Sequence, residues 1–144
     1  MLKIYFAGSI RGGREHIGFY REIIEYLRQY GEVLTEHVGD NKLSEEGEKG
    51  LGDESIYKRD IQWLKSSDAV VAEVSNPSLG VGFEIAKAIE LNKYVLCLFK
   101  TQVDKKLSAM IAGCPDITIK EYTEIDDVKN ELGNFLTFVK SKIQ

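Results

Sequence analysis

The chain has 144 residues, of which 43% are hydrophobic and 29% charged, and its formal net charge is −4. These values are typical of one soluble globular domain over residues 1–144 and exclude a disordered or fibrous chain. The acidic residues are spread along the sequence without a basic stripe, so a nucleic-acid polymer is not the expected partner. A small anionic ligand is still compatible with this charge.

Cysteine usage and hydropathy bear on the cellular compartment. Cys97 and Cys114 have no CxxC spacing and no secretory context, which predicts reduced thiols. We expect no leader peptide and no contact with a membrane, since no run approaches the ~18–20 apolar residues of a spanning helix. The expected location is the cytoplasm, with the nucleus also open in a eukaryote.

Strand and helix patterns alternate along the whole chain. In order, we predict a strand at 2–7, a helix at 17–30, a strand at 32–37, a helix at 55–67, a strand at 68–74, a helix at 81–92, a strand at 94–99, a helical run at 107–113, a strand at 116–122 and a helix at 125–142. This alternation predicts an α/β fold with a parallel sheet between two layers of helices. The nearly continuous apolar strands 2–7, 69–74 and 94–99 are expected at its centre.

One long segment lacks any periodic pattern. Residues 38–54 are acidic and glycine-rich, which predicts a surface loop. Loops of this length are often lids or binding loops, although a solvated, disordered loop is an equal alternative.

Two polar loops follow predicted central strands, GSIRGGR at 8–14 and SNPSLGVGFE at 75–84. Ligands of open parallel sheets bind at the carboxyl ends of the strands, so both loops are candidates for a site. Neither the P-loop pattern GxxxxGK[ST] nor the dinucleotide pattern GxGxxG is present, which disfavours a kinase or a dehydrogenase. The Ser9 hydroxyl and the Arg11 guanidinium could hold an oxyanion. The alternative is an arginine in an ordinary surface turn.

Two carboxylates are expected to face this edge of the sheet. Asp60 lies between Ile56 and Leu64 at helical spacing, inside an apolar stripe, and its alternative role is a structural pairing with Arg59 or with a backbone amide. Glu84 occupies a similar position on the next predicted helix. Its alternative role is to complement the helix dipole. A capping box is excluded for Glu84, because the residue three positions earlier is a valine.

These two carboxylates, with Tyr5 on a central strand, form a set that suits glycosyl transfer with retention. One carboxylate attacks the anomeric carbon and an acid protonates the leaving group. Metal-assisted hydrolysis is disfavoured, because His16 and His37 are the only histidines and no metal-ligand spacing occurs. His37, at the end of the second predicted strand, also faces the ligand edge.

The motifs IYFAGSIRGGR, RDIQWL, DAVVAEVSNPSLGVGFEIAKAIE and LSAMIAG resemble those of the 2′-deoxynucleoside 5′-monophosphate N-hydrolases, in the nucleoside 2-deoxyribosyltransferase superfamily. The resemblance implies a flavodoxin-like fold with five parallel strands and a homodimer with shared active sites. It implies hydrolysis of the N-glycosidic bond to a free base and 2-deoxyribose 5-phosphate, without a cofactor or metal. It also implies Glu84 as the nucleophile, Asp60 as the residue that helps the base leave, and Tyr5 beside the sugar, where its hydroxyl would exclude a ribose 2′-OH.

The same resemblance implies a binding site for the 5′-phosphate. Its side chains would be Ser9, Arg11, Ser78 and, from the partner subunit, Ser108, and its backbone amides would be those of Ile10, Gly12 and Gly80. Gly8 and His37 are expected near the base and sugar. Three alternatives stay open: base exchange, in which a second nucleobase replaces water as the acceptor, a nucleotide-binding module without turnover, and hydrolysis of ribonucleotides.

Overall fold

The computed structural model describes residues 1–9, 17–35 and 52–144. The strands are β1 (Leu2–Ala7), β2 (Gly31–Val33), β3 (Ala69–Glu73), β4 (Tyr94–Lys100) and β5 (Ile117–Tyr122), and the helices are α1 (Ile17–Leu27), α2 (Asp53–Ser66), α3 (Leu79–Glu90), α4 (Ala109–Ala112) and α5 (Ile125–Ile143). Every predicted element is present in the predicted order. No helix in these ranges is long and apolar enough to cross a membrane.

All five strands pair in parallel, in the order β2-β1-β3-β4-β5. This is the flavodoxin-like order, and the predicted α/β fold is confirmed. The apolar strands β1, β3 and β4 occupy the centre of the sheet, as expected. The chain direction across the sheet reverses between β1 and β3, so the crevice outside their carboxyl ends is the expected ligand site.

The alternation of side chains along β1 divides the core into two clusters, one on each face of the sheet. Ile4 and Phe6 point toward α1 and α5, where they pack with Tyr20. Tyr5 points to the opposite face, toward α2 and α3, and is buried there beside Ile85. The Tyr5 hydroxyl therefore lies on the same side of the sheet as the helices that carry the two predicted carboxylates.

Several boundaries differ from prediction by a few residues, and three of them have a clear local reason. β2 ends at Val33 because the Thr35 hydroxyl takes the place of backbone hydrogen bonds to β1. It accepts from Phe6 N at 2.8 Å and donates to Phe6 O at 2.6 Å. α2 begins at Asp53, inside the predicted loop, with two acidic residues in its first turn. α3 begins at Leu79, two residues early, because the Ser78 side chain caps it.

Candidate active site

The centre of the site is a hydrogen bond between β1 and α3. The Tyr5 hydroxyl donates to Glu84 Oε2. Tyr5 is 1% exposed, so its hydroxyl has no freedom to leave the crevice. The structure therefore brings together two residues that the sequence placed 79 positions apart.

The position of Glu84 on its helix excludes one alternative. Because α3 begins at Leu79, Glu84 is the sixth helical residue, and the first turn contains no acidic residue. The dipole of a helix acts mainly within its first turn. Interaction with the helix dipole is therefore a weak explanation for the position of Glu84. Its place beside Tyr5 at the ligand edge needs a different explanation.

The environment of Glu84 brings its acid-base equilibrium close to neutrality. The pKa of Glu84 is raised from 4.5 to about 7. Burial is the main cause and the charge of Asp60 adds to the rise, whereas the hydrogen bond from Tyr5 lowers the pKa. Burial and the Glu84 charge raise the pKa of Tyr5 well above its usual value, so the phenol stays a donor at neutral pH. Groups tuned in this way are typical of catalytic carboxylates.

The Tyr5 hydrogen bond makes a testable pH prediction. A nucleophilic Glu84 must be ionised, so kcat/KM should rise as the pH increases through about 7. Tyr5→Phe removes the interaction that lowers the pKa of Glu84, and we expect the acidic limb to move up by roughly one pH unit. Tyr94→Phe, at the opposite end of the sheet, is the control. An unmoved limb, or one shifted to lower pH, would contradict the proposed coupling.

Asp60 lies on α2 and lines the same cleft as Glu84. Its side chain is only 25% exposed, Arg59 Nε donates to its Oδ1 at 3.0 Å, and Arg59 Nη2 lies 3.0 Å from the same oxygen in an ion pair. The Arg59 guanidinium also lies 4.6 Å from the centroid of the Trp63 ring. Asp60 therefore has both of the features that the sequence suggested. It faces the cleft, and it forms an ion pair with Arg59 that orients its carboxylate.

Ser9 follows the end of β1 and is fully buried. Its backbone N–H donates to the Tyr20 hydroxyl at 3.0 Å. No hydrogen-bond partner for its Oγ occurs within the described ranges. A buried hydroxyl without a partner is unfavourable by about 1–3 kcal/mol. A ligand oxygen at the strand end would satisfy Ser9, as the predicted phosphate contact requires.

The second predicted phosphate loop ends at the amino terminus of α3. Ser78 caps this helix, and its Oγ accepts from Val81 N at 3.3 Å. The first amides of a helix lack intrahelical acceptors and attract anions. Gly80 is exposed there, and a Cβ added to it would meet only Ser78 Oγ, at 3.8 Å. Space is therefore available beside amides that could bind a phosphate.

Gly8, Ser78, Gly80 and Ser108 line one cleft with both carboxylates. Its volume of about 1330 Å³ exceeds the ~300–1,000 Å³ typical of a small-ligand pocket. The excess arises because the cleft continues past α3 to α4, where Ser108 is exposed and accepts from Met110 N at 3.3 Å. Ser108 thus lies on the outer wall of the cleft.

Four predicted site residues lie outside the described part of the chain: Ile10, Arg11, Gly12 and His37. Their roles stay predictions, as do the catalytic roles of the residues above. Within the described ranges no group of three or more His, Cys, Asp or Glu side chains is placed to hold a metal ion. Sequence reasoning missed a buried polar cluster formed by Glu73, Ser75 and Tyr122, although a glutamate ending an apolar strand was a signal for it.

Solved structures of other proteins share this architecture. A CMP N-glycosidase of Clostridium botulinum matches with a TM-score of 0.67 at 16% identity, covering 91% of this chain and 98% of that one. A 2-deoxyribosyltransferase of Bacillus psychrosaccharolyticus matches with a TM-score of 0.65 at 18% identity, covering 89% and 90%. At these identities the likeness shows the fold alone, which is that of nucleoside 2-deoxyribosyltransferase-like proteins.

Sequence comparison assigns the chain to a family. The family model "Nucleoside 2-deoxyribosyltransferase" matches residues 4–127. A 5-hydroxymethyl-dUMP N-hydrolase of Danio rerio is 50% identical over 137 residues, covering 93% of this chain and 95% of the relative. The protein of the same name from Esox lucius is 48% identical over 128 residues, covering 85% and 88%. The chain belongs to the nucleoside 2-deoxyribosyltransferase family, and the resemblance predicted from its motifs is confirmed.

Proposed function

We propose that this protein hydrolyses the N-glycosidic bond of 2′-deoxynucleoside 5′-monophosphates to a free nucleobase and 2-deoxyribose 5-phosphate. The carrying observation is the Glu84 carboxyl group, held by Tyr5 at the switch point of the sheet with a pKa of about 7. Relatives about 50% identical over most of their length are named N-hydrolases of such a nucleotide, which supports hydrolysis over other reactions of the family.

The proposed reaction has two displacements at C1′ of the sugar. Glu84 attacks C1′ as the bond from C1′ to the base nitrogen breaks, through an oxocarbenium-like transition state. Asp60 assists protonation of the departing base by relaying a proton from solvent to the base nitrogen. Water then attacks C1′, the bond to Glu84 breaks, and the proton lost by the water passes to solvent through a carboxylate of the site. Tyr5 orients Glu84 throughout and stays protonated.

The 5′-phosphate is proposed to bind between the two loops at the carboxyl ends of β1 and β3. The buried Ser9 hydroxyl supports this position, because its Oγ has no hydrogen-bond partner among the described residues and a phosphate oxygen would supply one. The amino terminus of α3 adds amides near Ser78 and Gly80, and Arg11 adds a bidentate cation. This half of the site would select nucleotides over nucleosides.

A substrate panel tests the function directly. We expect wild-type protein to release free base from dCMP, dGMP and dUMP derivatives, at least ~100-fold faster than from the corresponding nucleosides, because nucleosides lack the phosphate contacts. CMP serves as the matched ribonucleotide. If no monophosphate gives free base, the function is wrong. Tight binding without turnover would instead indicate a nucleotide-binding module.

Base exchange is distinguished by adding a second nucleobase to the same assay. A hydrolase gives equal amounts of free base and 2-deoxyribose 5-phosphate, whatever base is added. A transferase gives a new nucleotide that contains the added base. The names of the relatives favour water as the acceptor.

A homodimer is proposed as the working form. Four large apolar side chains near the cleft are strongly exposed: Leu79 at 97%, Met110 at 83%, Phe83 at 54% and Tyr57 at 52%. Such a patch is typical of a protein interface. A second copy would cover it and bring its own Ser108 toward the phosphate half of the site. Sedimentation equilibrium should give about twice the 16.3 kDa chain mass, and a monomer at assay concentration would refute the proposal.

A further inference from the structure

A second buried carboxylate lies close to the site without a role in the proposed reaction. Glu73 is the last residue of β3 and is 0% exposed. It immediately precedes the loop that leads to Ser78 and the amino terminus of α3. A carboxylate without access to water is costly unless several donors satisfy it.

Three hydrogen bonds converge on this carboxylate. Ser75 donates its backbone N–H to Glu73 Oε1 at 2.8 Å and its hydroxyl to Oε2 at 2.7 Å. The Tyr122 hydroxyl, from the end of β5, also donates to Oε2. Ser75 Oγ in turn accepts from the backbone N–H of Lys100, at the end of β4, at 2.7 Å. The ends of three strands are thereby tied to the first residue of the second phosphate loop.

The cluster also reaches the first phosphate loop. Tyr122 and Tyr20 both belong to the buried core cluster on the face of the sheet that packs against α1 and α5. Tyr20 in turn accepts the backbone N–H of Ser9. The Tyr122 ring meets Phe19 of α1 edge-on, with 6.5 Å between centroids. Tyr122 therefore stands between Glu73 and the residues that flank the first loop.

We infer that Glu73 and Tyr122 are positioning residues that hold the loop from Ser75 to Ser78 at a fixed distance from Ser9 for binding of the 5′-phosphate. The inference rests on the proposed function, because it assigns the cluster to the phosphate half of that site. Donors around a phosphate must be held within a fraction of an ångström, and buried charge-assisted hydrogen bonds provide that rigidity. Ser75 lines the cleft, whereas Glu73 and Tyr122 lie behind its wall.

Two variants probe the cluster with little change of shape. Tyr122→Phe removes one donor and keeps the ring against Phe19, and Glu73→Gln keeps the size of the side chain but removes its charge. We expect each to raise KM for a deoxynucleoside monophosphate about tenfold and to change kcat less than about threefold. Tyr94→Phe is the matched control, since it removes a hydroxyl from the opposite end of β4, and it should leave both constants unchanged.

Competitive inhibition by inorganic phosphate gives a second readout that a merely structural role would not move. Its inhibition constant should rise by a factor similar to that of KM. A folded Tyr122→Phe protein with both constants unchanged would overturn the inference, and so would a fall in kcat at constant KM. If Glu73→Gln does not fold, Tyr122→Phe still decides the matter. Failure of the proposed function is distinguishable, because the wild-type protein would then release no base.

Discussion

Glu84→Gln is expected to lower kcat for base release by at least about 10³-fold while KM changes little. The amide has the size of the carboxyl group and can still accept the hydrogen bond from Tyr5, so the pocket keeps its shape. It cannot attack C1′ or stabilise the positive charge that develops there. The measurement is steady-state release of free base from one deoxynucleoside monophosphate.

Glu90→Gln is the matched control, because Glu90 lies on the same helix and its exposed side chain forms an ion pair with Lys87. Its kcat should equal that of the wild-type protein. A Glu84→Gln protein that retains more than about a tenth of the wild-type rate would remove Glu84 from the role of nucleophile.

The same substitution should stabilise the protein at alkaline pH. The pKa of Glu84 in the folded protein is about 7, above its ordinary value of 4.5, so the folded state binds this proton more tightly than the unfolded chain does. The contribution of Glu84 to stability is then fully present below about pH 4.5 and is lost as the pH rises through 7. Glu84→Gln removes that loss, so its Tm should exceed that of the wild-type protein at pH 8 and approach it at pH 4.5.

Asp60→Asn is expected to lower kcat about 10²-fold, which is the usual scale of one acid-base contribution. The asparagine keeps the shape of the side chain but cannot pass a proton to the departing base. The loss should be larger for poor leaving groups than for a base that departs readily, such as 5-fluorouracil. Rates for a series of bases, plotted against the acidity of the free base, give the measurement.

Glu54→Gln controls for charge loss on α2, because Glu54 is exposed and forms an ion pair with Lys58 on the surface. It should leave the rates unchanged. An Asp60→Asn protein that slows all bases by one common factor would argue that Asp60 only orients Arg59 and the cleft wall. That outcome would mean that another residue assists the departure of the base.

The fold was predictable because its signals are local. Each central strand is an uninterrupted apolar run, and each helix has its own hydrophobic periodicity. The existence and order of the strands and helices could therefore be predicted from short windows of sequence. The boundaries were less predictable, because they depend on partners far along the chain. Thr35 ends β2 through contacts with Phe6, 29 positions away, and no pattern around Thr35 indicates this.

The candidate site was predictable to the extent that periodicity sets direction. Alternation along β1 turned Tyr5 away from Ile4 and Phe6, and helical spacing turned Glu84 toward the cleft. The Glu73 cluster was not predictable in this way, because Tyr122 is 49 positions away and meets Glu73 only when β5 joins the sheet. Pairing across strands is a property of the assembled sheet.

The most direct test of the central claim is the stereochemistry of sugar transfer. Reaction of a deoxynucleoside monophosphate in water containing methanol should give some methyl 2-deoxyribofuranoside 5-phosphate, whose anomer is read by NMR. Attack by Glu84 followed by attack of the acceptor oxygen inverts C1′ twice, so the β configuration of the substrate is retained. The β-methyl product is therefore expected. An α-methyl product would require a single displacement and would contradict a nucleophilic Glu84.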